Sequence, residues 1–302
     1  MAHYTKDWRV PTMLVTPSLI LVGLIVVFPI AFTVYISLTN MNIYHWNNFE
    51  LQGFQNYIRA FSTLDGGFIE AFLRTVLWTL INLILQYFIA LGVGLMLNTP
   101  RLRFQGLYRT IFMIPWAVPG YISALIWRNG LFNFRYGLLN KILVRLGLEP
   151  IQWLSQDFNA FIAVLIVNLW LALPFMILVV LGGLQSIDKE YYESAQIDGA
   201  NLLTQIQHIT VPLLRPVLVP AMTITAFVTF KQFDIVYLMT QQMGSKTGAD
   251  IHMVITYAFE NAFVTNNYGF SSALSVIIFV MIILMTVGSE VVQRRFKTGG
   301  EV

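Results

Sequence analysis

An all-α polytopic membrane protein with six transmembrane helices is the fold class this sequence predicts, on three observations. Of its 302 residues, 57% are hydrophobic and only 11% charged, with a mean hydropathy of +0.67. A soluble domain carries about 25% charged residues. Six apolar stretches reach the length of roughly 20 residues that a bilayer-crossing helix needs. One long polar stretch, about 185–212, falls between two of them and has to lie in water.

Taken in order, the first span is expected at about 13–38, with Pro17 and Pro29 inside. It is too long for a signal-peptide core and lacks a small-x-small cleavage site, so it reads as a retained span. The second is expected at 71–97, ending at Asn98-Thr99-Pro100. The third, 107–128, holds Ile114-Pro115-Trp116-Ala117-Val118-Pro119-Gly120. Two prolines so close free backbone carbonyls, which suits a helix bent inside a protein bundle; a harmless kink is the plainer reading. The fourth, 158–184, carries Pro174 and closes on Gly182-Gly183. The fifth, 213–240, is the most polar, and the sixth, 270–292, closes on Gln293-Arg294-Arg295-Phe296-Lys297. The whole chain, 1–302, is read as a single transmembrane domain.

Composition excludes several chemistries. There is no cysteine, so disulfides, thiolate nucleophiles and cysteine metal sites are out. His3, His45, His208 and His252 are far apart, with no metal-ligand spacing, so no metal and no catalytic cluster is expected. The net charge of +3 does not point to nucleic acid, because no basic run is interleaved with aromatics.

Lys and Arg set the orientation. Lys6, Arg9, Arg101, Arg103, Arg109, Lys189, Arg215, Arg294, Arg295 and Lys297 fall on one side, ten against eight on the other. The ten crowd shorter loops, which places both termini and the 185–212 loop in the cytoplasm. The outer loops, about 39–70, 129–157 and 241–269, are rich in aromatics such as Tyr44, Trp46, Phe49, Phe54, Tyr57, Trp153 and Tyr268. These suit the headgroup layer or a partner surface.

Within the polar stretch, Ser186 and Asp188 are candidate caps for a helix running from Glu190 to about Ile197. Gly199 ends it, because glycine takes the left-handed conformation at low cost. A second short helix is expected from Asn201 to Ile209, with Pro212 opening the fifth span. Leu202, Leu203, Ile206 and Ile209 form an apolar stripe that needs a covering. Small Ser194 and Ala195 permit close approach, and Glu193 offers a fixed acidic group. The alternative, an amphipathic loop on lipid, conflicts with Asp188, Glu190, Glu193 and Asp198, which anionic headgroups repel.

The run Glu193-Ser194-Ala195, Gly199, Ile209, Pro212 resembles the "EAA" coupling loop of the permease subunits of binding-protein-dependent ABC importers. Three further stretches resemble the carbohydrate, maltose-type class: Thr229-Phe230-Lys231-Gln232-Phe233-Asp234 through Tyr237-Leu238-Met239-Thr240, Asn168-Leu169-Trp170 through Pro174-Phe175, and Tyr108-Arg109-Thr110 through Pro115. Ser194 for Ala and Val211 for Leu are minor departures. The resemblance covers essentially the whole chain in its compact six-span version and implies the type I ABC importer permease fold. It implies a bacterial or archaeal plasma membrane location. It also implies a second homologous permease, two ATPase subunits and an extracytoplasmic sugar-binding protein as partners. No cofactor binds directly; ATP and Mg belong to the ATPase. Glu190, Glu193, Ser194, Ala195, Asp198, Gly199, Leu203, Ile206, Ile209 and Pro212 become the ATPase-coupling set. By matching positions, Asn168, Leu171, Ala172, Phe175, Thr225, Thr229 and Gln232 become the substrate-lining set.

Polar side chains at membrane depth are costly and face a cavity or the bundle interior. Asn82, Gln86, Asn168, Thr223, Thr225, Thr229, Lys231, Gln232 and Asp234 qualify, and Thr225, Thr229 and Gln232 are spaced for one helix face. Trp170 and Phe175 would supply an apolar face for a sugar. Helix–helix hydrogen bonding is the competing role. Lys231 and Asp234 either pair with each other or meet substrate, and Lys231 leaves room for a glycerol-phosphate-like anion. An ion-coupled carrier would show acidic or His relays within spans, and a membrane enzyme a catalytic cluster. The Gly244-Ser245-Lys246-Thr247 run fails the phosphate-loop spacing, so an ATPase is not expected.

Overall fold

The computed structural model describes residues 9–62, 67–99, 102–242, 245–246 and 251–298. Lys6, Pro100, Arg101, Gly244 and Thr247 lie outside them, as do the side chains of Arg9, Lys246, Arg294, Arg295 and Lys297. Among the described residues, five helices are long and apolar enough to cross a membrane, and six when one bent pair is taken as a single span.

Helix α1, Pro11–Ser37, runs through its prolines with a π turn at Gly23–Val27, and little of its most apolar window is buried. Short α2, Gln55–Ser62, follows a loop. Helix α3 is Phe68–Asn98. The expected bend in the third span is a 94° break between α4, Gln105–Ala117, and α5, Gly120–Leu131. Val118 and Pro119, both extended, supply it, because a residue before proline avoids the helical region. Next come α6, Leu138–Arg145, and the long α7, Asp157–Gln185. Helix α8 is Lys189–Ile197. Helix α9, residues 202–230, runs on from the second polar helix into the fifth span. The chain breaks at 231–233, then forms α10, Asp234–Thr240. After a two-residue ladder of Gln241–Gln242 with Ser245–Lys246 come α11, Val254–Phe263, and α12, Tyr268–Thr298.

Two of these differ from expectation. Pro212 does not separate the polar helix from the fifth span: a wide π turn at Ile206–Thr210 precedes it, and a ring without an N–H is accommodated where the ordinary hydrogen-bond ladder is already interrupted. The fifth span, expected over about 213–240, is broken at 231–233 into α9 and α10.

The chain divides into two compact units. In the first, residues 1–70 and 257–281, Asn56 Nδ2 donates to the carbonyls of Ser37 and Thr39 at 2.9 and 2.8 Å. Arg59 lies over the Phe270 ring at 4.4 Å, and Trp46 packs edge-on against Tyr268. Trp46 and Tyr268 thus contact each other, whereas Tyr44 is left 90% exposed.

In the second unit, residues 71–256 and 282–302, α7 is the spine of two cores. Its first half packs Ala160, Val164 and Val167 with Trp78, Val236 and Met239. Its last part packs Met176, Val180 and Leu184 with Ala90, Leu97, Leu214 and Leu218. Gly183 marks the closest approach of α7 and α9, since a Cβ there would lie 2.5 Å from Leu214 Cδ2. The residues 168–175 fall between the two cores, at the middle of a helix of 29 residues.

Candidate functional site

A cavity of about 430 Å³ opens at that midpoint. From α7 it is lined by Asn168, Leu171, Ala172 and Phe175. From α9 come Ile224, Thr225, Val228 and Thr229, and from the break and α10 come Gln232 and Ile235. The bend of the third span contributes Pro115, Trp116, Val118 and Gly120. All seven residues of the expected substrate set are therefore brought to one cavity. No lining side chain is ionisable.

Gln232 arrives by a different route from the one its spacing suggested. Helix α9 ends at Phe230, and the Gln232 N–H donates to the Thr229 carbonyl at 3.2 Å in a turn beyond it. The residue is thus not on the Thr225–Thr229 helix face but follows the break that points it at the same space. Trp170 is also reassigned: it packs on Trp127 at 5.6 Å rather than on the cavity. The aromatic wall is Trp116 stacked on Phe175, centroids 6.1 Å apart and rings inclined 27°. Trp116 escaped the sequence reading as a site residue, though its Pro-x-x-x-Pro surroundings signalled a bend into the protein.

The hydroxyls of the lining threonines differ from those nearby. Thr75, Thr79, Thr223 and Thr240 each donate to the carbonyl four residues earlier, at 2.6–2.9 Å. Thr225 and Thr229, both buried, make no such bond among the described residues. Neither hydroxyl is among the fully buried side-chain atoms without a partner, so both are open to the cavity and to a polar occupant there. Asn168 Nδ2, by contrast, donates to Asn82 Oδ1 at 2.6 Å.

The remaining polar candidates do not line the cavity. Thr223 is satisfied within its own helix. Gln86 is fully buried on α3, and neither end of its amide has a partner among the described residues. Lys231 and Asp234 are exposed, and no ion pair joins them among the described residues. His208 and His252 gather no metal-ligating cluster; none occurs among the described residues.

The polar segment makes a second site. Asp188 sits at the N-cap position of α8 but its side chain makes no capping bond, and the Ser186 hydroxyl donates back to the Gly183 carbonyl at 2.8 Å. The expected capping by these two is therefore not made. The other end closes as expected. Gly199 has φ +80°, its N–H meets the Gln196 carbonyl at 3.1 Å, and the Ala200 N–H meets Ala195 at 2.8 Å. That pair of bonds is the glycine-terminated Schellman closure. Asn201 then caps α9, its Oδ1 accepting from the Thr204 N–H at 2.9 Å. Tyr192 Oη and Thr210 Oγ1, 3.0 Å apart, tie α8 to the π turn.

One face of α8 is thus anchored and the other is free. Asp188, Glu190, Tyr191, Ser194, Ala195 and Asp198 line a shallow acidic hollow of about 510 Å³. Glu193 is exposed but outside that hollow. Leu202 and Leu203 are 73% and 63% exposed, whereas Ile206 and Ile209 are half-buried. The apolar stripe is therefore covered at one end and open at the other. Pro212 is half-buried in α9.

Residues 86–298 match the model of the family described as binding-protein-dependent transport system inner membrane component. The trehalose/maltose transport system permease protein MalF of Thermococcus litoralis is 35% identical over 282 residues, 93% of this chain and 92% of that protein. The sulfoquinovosyl glycerol transport system permease protein SmoG of Agrobacterium fabrum is also 35% identical, covering 93% and 89%. Among solved structures, a chain of a bacterial ABC transporter involved in import of the acidic polysaccharide alginate shares the fold. Its TM-score is 0.77 at 21% identity, with 96% of both chains covered.

Proposed function

Because the chain belongs to the family of binding-protein-dependent transport system inner membrane components, we propose that its central cavity passes a neutral sugar across the membrane. The chain is a multi-pass permease subunit of an ABC importer and not an enzyme; ATP hydrolysis belongs to a separate subunit. The observation that carries the substrate class is the uncharged lining joined to an aromatic wall. Free threonine hydroxyls and two amides match a ring of hydroxyls, and Trp116 with Phe175 matches the C–H face of a sugar. The relatives named as trehalose/maltose and galactooligosaccharide permeases agree with this choice.

The acidic face of α8, with Glu193 and the open end of the 202–203 stripe, is the docking surface for an ATPase subunit carrying ATP and Mg. Both termini then lie in the cytoplasm. A second homologous permease completes the pathway, two ATPase subunits drive it, and an extracytoplasmic binding protein delivers the sugar. Closure of the ATPase pair moves α8, and α9 carries that motion without interruption to Thr225 and Thr229. Such a lever works only through contacts that differ between the two states.

The test is uptake by the assembled transporter in proteoliposomes. Radiolabelled maltose and trehalose are offered, with and without excess glycerol 3-phosphate. ATP-dependent uptake of a neutral sugar, indifferent to the phosphate, is the expected result. Competition by glycerol 3-phosphate, or uptake that needs an ion gradient and no ATP, would overturn the reading.

A further inference from the structure

Asn168 does not meet the cavity as a freely turning amide. Its Nδ2 donates to Oδ1 of Asn82 on α3 at 2.6 Å, and Nδ2 of Asn82 donates to the Trp78 carbonyl, one turn earlier, at 2.9 Å. All three residues are buried, Asn82 and Trp78 completely. A backbone carbonyl oxygen only accepts, so it fixes which end of the Asn82 amide faces it. The other end, Oδ1, also only accepts, and Asn168 must turn its NH2 toward α3. Turning either amide over would set oxygen against oxygen at hydrogen-bond distance in a site shielded from water, where the mismatch is most costly. Asn168 keeps one N–H and its Oδ1 unbonded among the described residues, and with Nδ2 turned to α3 the atom set away from α3 is Oδ1.

We propose that Asn82 is a positioning residue that fixes the direction of the Asn168 amide and turns its acceptor Oδ1 away from α3, so that this corner of the cavity favours a sugar hydroxyl acting as donor. The inference rests on the reading of the cavity as a sugar site. Asn82 itself does not line the cavity. Of the amide and hydroxyl side chains that do, Asn168 is the one held by a protein side chain among the described residues. The hydroxyls of Thr225 and Thr229 rotate to donate or accept, and the Gln232 amide has no side chain fixing its direction among the described residues. Selectivity for hydrogen-bond polarity is therefore concentrated at Asn168 and imposed from the second span.

Monofluorinated maltose and trehalose, with C–F replacing each C–OH in turn, separate donors from acceptors because fluorine cannot donate. Affinity is measured on the assembled, solubilised transporter without binding protein, so that the latter's selectivity does not enter. In the wild type, fluorination at the hydroxyl that meets Asn168 should weaken binding about tenfold, the worth of one oriented hydrogen bond. In Asn82→Leu, similar in size but without the acceptor, the Asn168 amide is free to turn, and the same analogue should lose about twofold or less. A purely structural role for Asn82 would lower affinity for every analogue alike. If Asn82→Leu does not assemble, Asn82→Ala makes the same comparison. Equal penalties in wild type and variant, or no position-specific penalty in the wild type, overturn the inference while leaving a sugar site in place. Failure of the wild type to bind any neutral sugar overturns the sugar reading and this inference with it.

Discussion

The cavity and the α8 segment belong to the same compact unit yet are built on opposite terms. In the cavity, polar groups are few, neutral and at least half-buried, and the chain itself decides which way one of them points: Asn168 is held by Asn82, and the α7 cores fix its depth. On α8, polar groups are charged and exposed, and the chain fixes only the backbone, through the Gly199 closure, the Asn201 cap and the Tyr192–Thr210 contact. A site for a small molecule has to be pre-organised within one protein, because each misdirected buried group costs binding. A site for a partner protein needs a rigid frame and a complementary face, and leaves its side chains in water until the partner arrives.

Substitutions break this contrast in graded steps. Thr229→Trp puts an indole into the cavity lined by α7 and α9 and should reduce sugar uptake to background, with the assembled complex still recovered by affinity purification. Normal uptake would remove Thr229 from the pathway. Glu193→Lys should do the reverse. Sugar binding to the complex persists, while ATPase affinity falls by about 30-fold, the effect of losing about 2 kcal/mol from a charged contact. Titration of labelled ATPase subunit against the solubilised permease measures it, and an unchanged affinity would detach Glu193 from the coupling face. The smallest effect is expected at the frame. Asn201→Ala removes a cap worth about 1 kcal/mol, so hydrogen exchange at 202–205 should quicken about fivefold. Cavity binding should not change, and a change there would mean that the two sites are less separate than their construction implies.

The sequence carried more of the apolar architecture than of the turns that aim it. Spans are legible because twenty apolar residues have few alternatives, and Pro115 with Pro119 announced a bend. Its 94° angle was not legible, nor was Trp116 as a wall of the cavity, because a proline pair says where a helix stops and not where the next one goes. The break at 231–233 was hidden by a stretch whose composition reads as one continuous helix, and so Gln232 was assigned to the wrong face for the right cavity. Pro212 misled in the other direction: a preceding π turn, invisible in the sequence, let the helix pass through it. Hydrogen-bond direction at Asn82 and Asn168 was beyond reach of pattern alone, since it depends on Asn82 bonding the Trp78 carbonyl one turn earlier on α3 and on α7 bringing Asn168 against its free end.

The central claim is that the free face of α8 receives a nucleotide-driven partner. The chain has no cysteine, so Glu193→Cys places a single thiol there, to be labelled with a maleimide photocrosslinker in the reconstituted transporter. The account predicts a light-dependent covalent adduct with the ATPase subunit and parallel loss of ATP-driven uptake. Labelling of that thiol only from the extracytoplasmic side, or crosslinking to the binding protein in place of the ATPase, would contradict it.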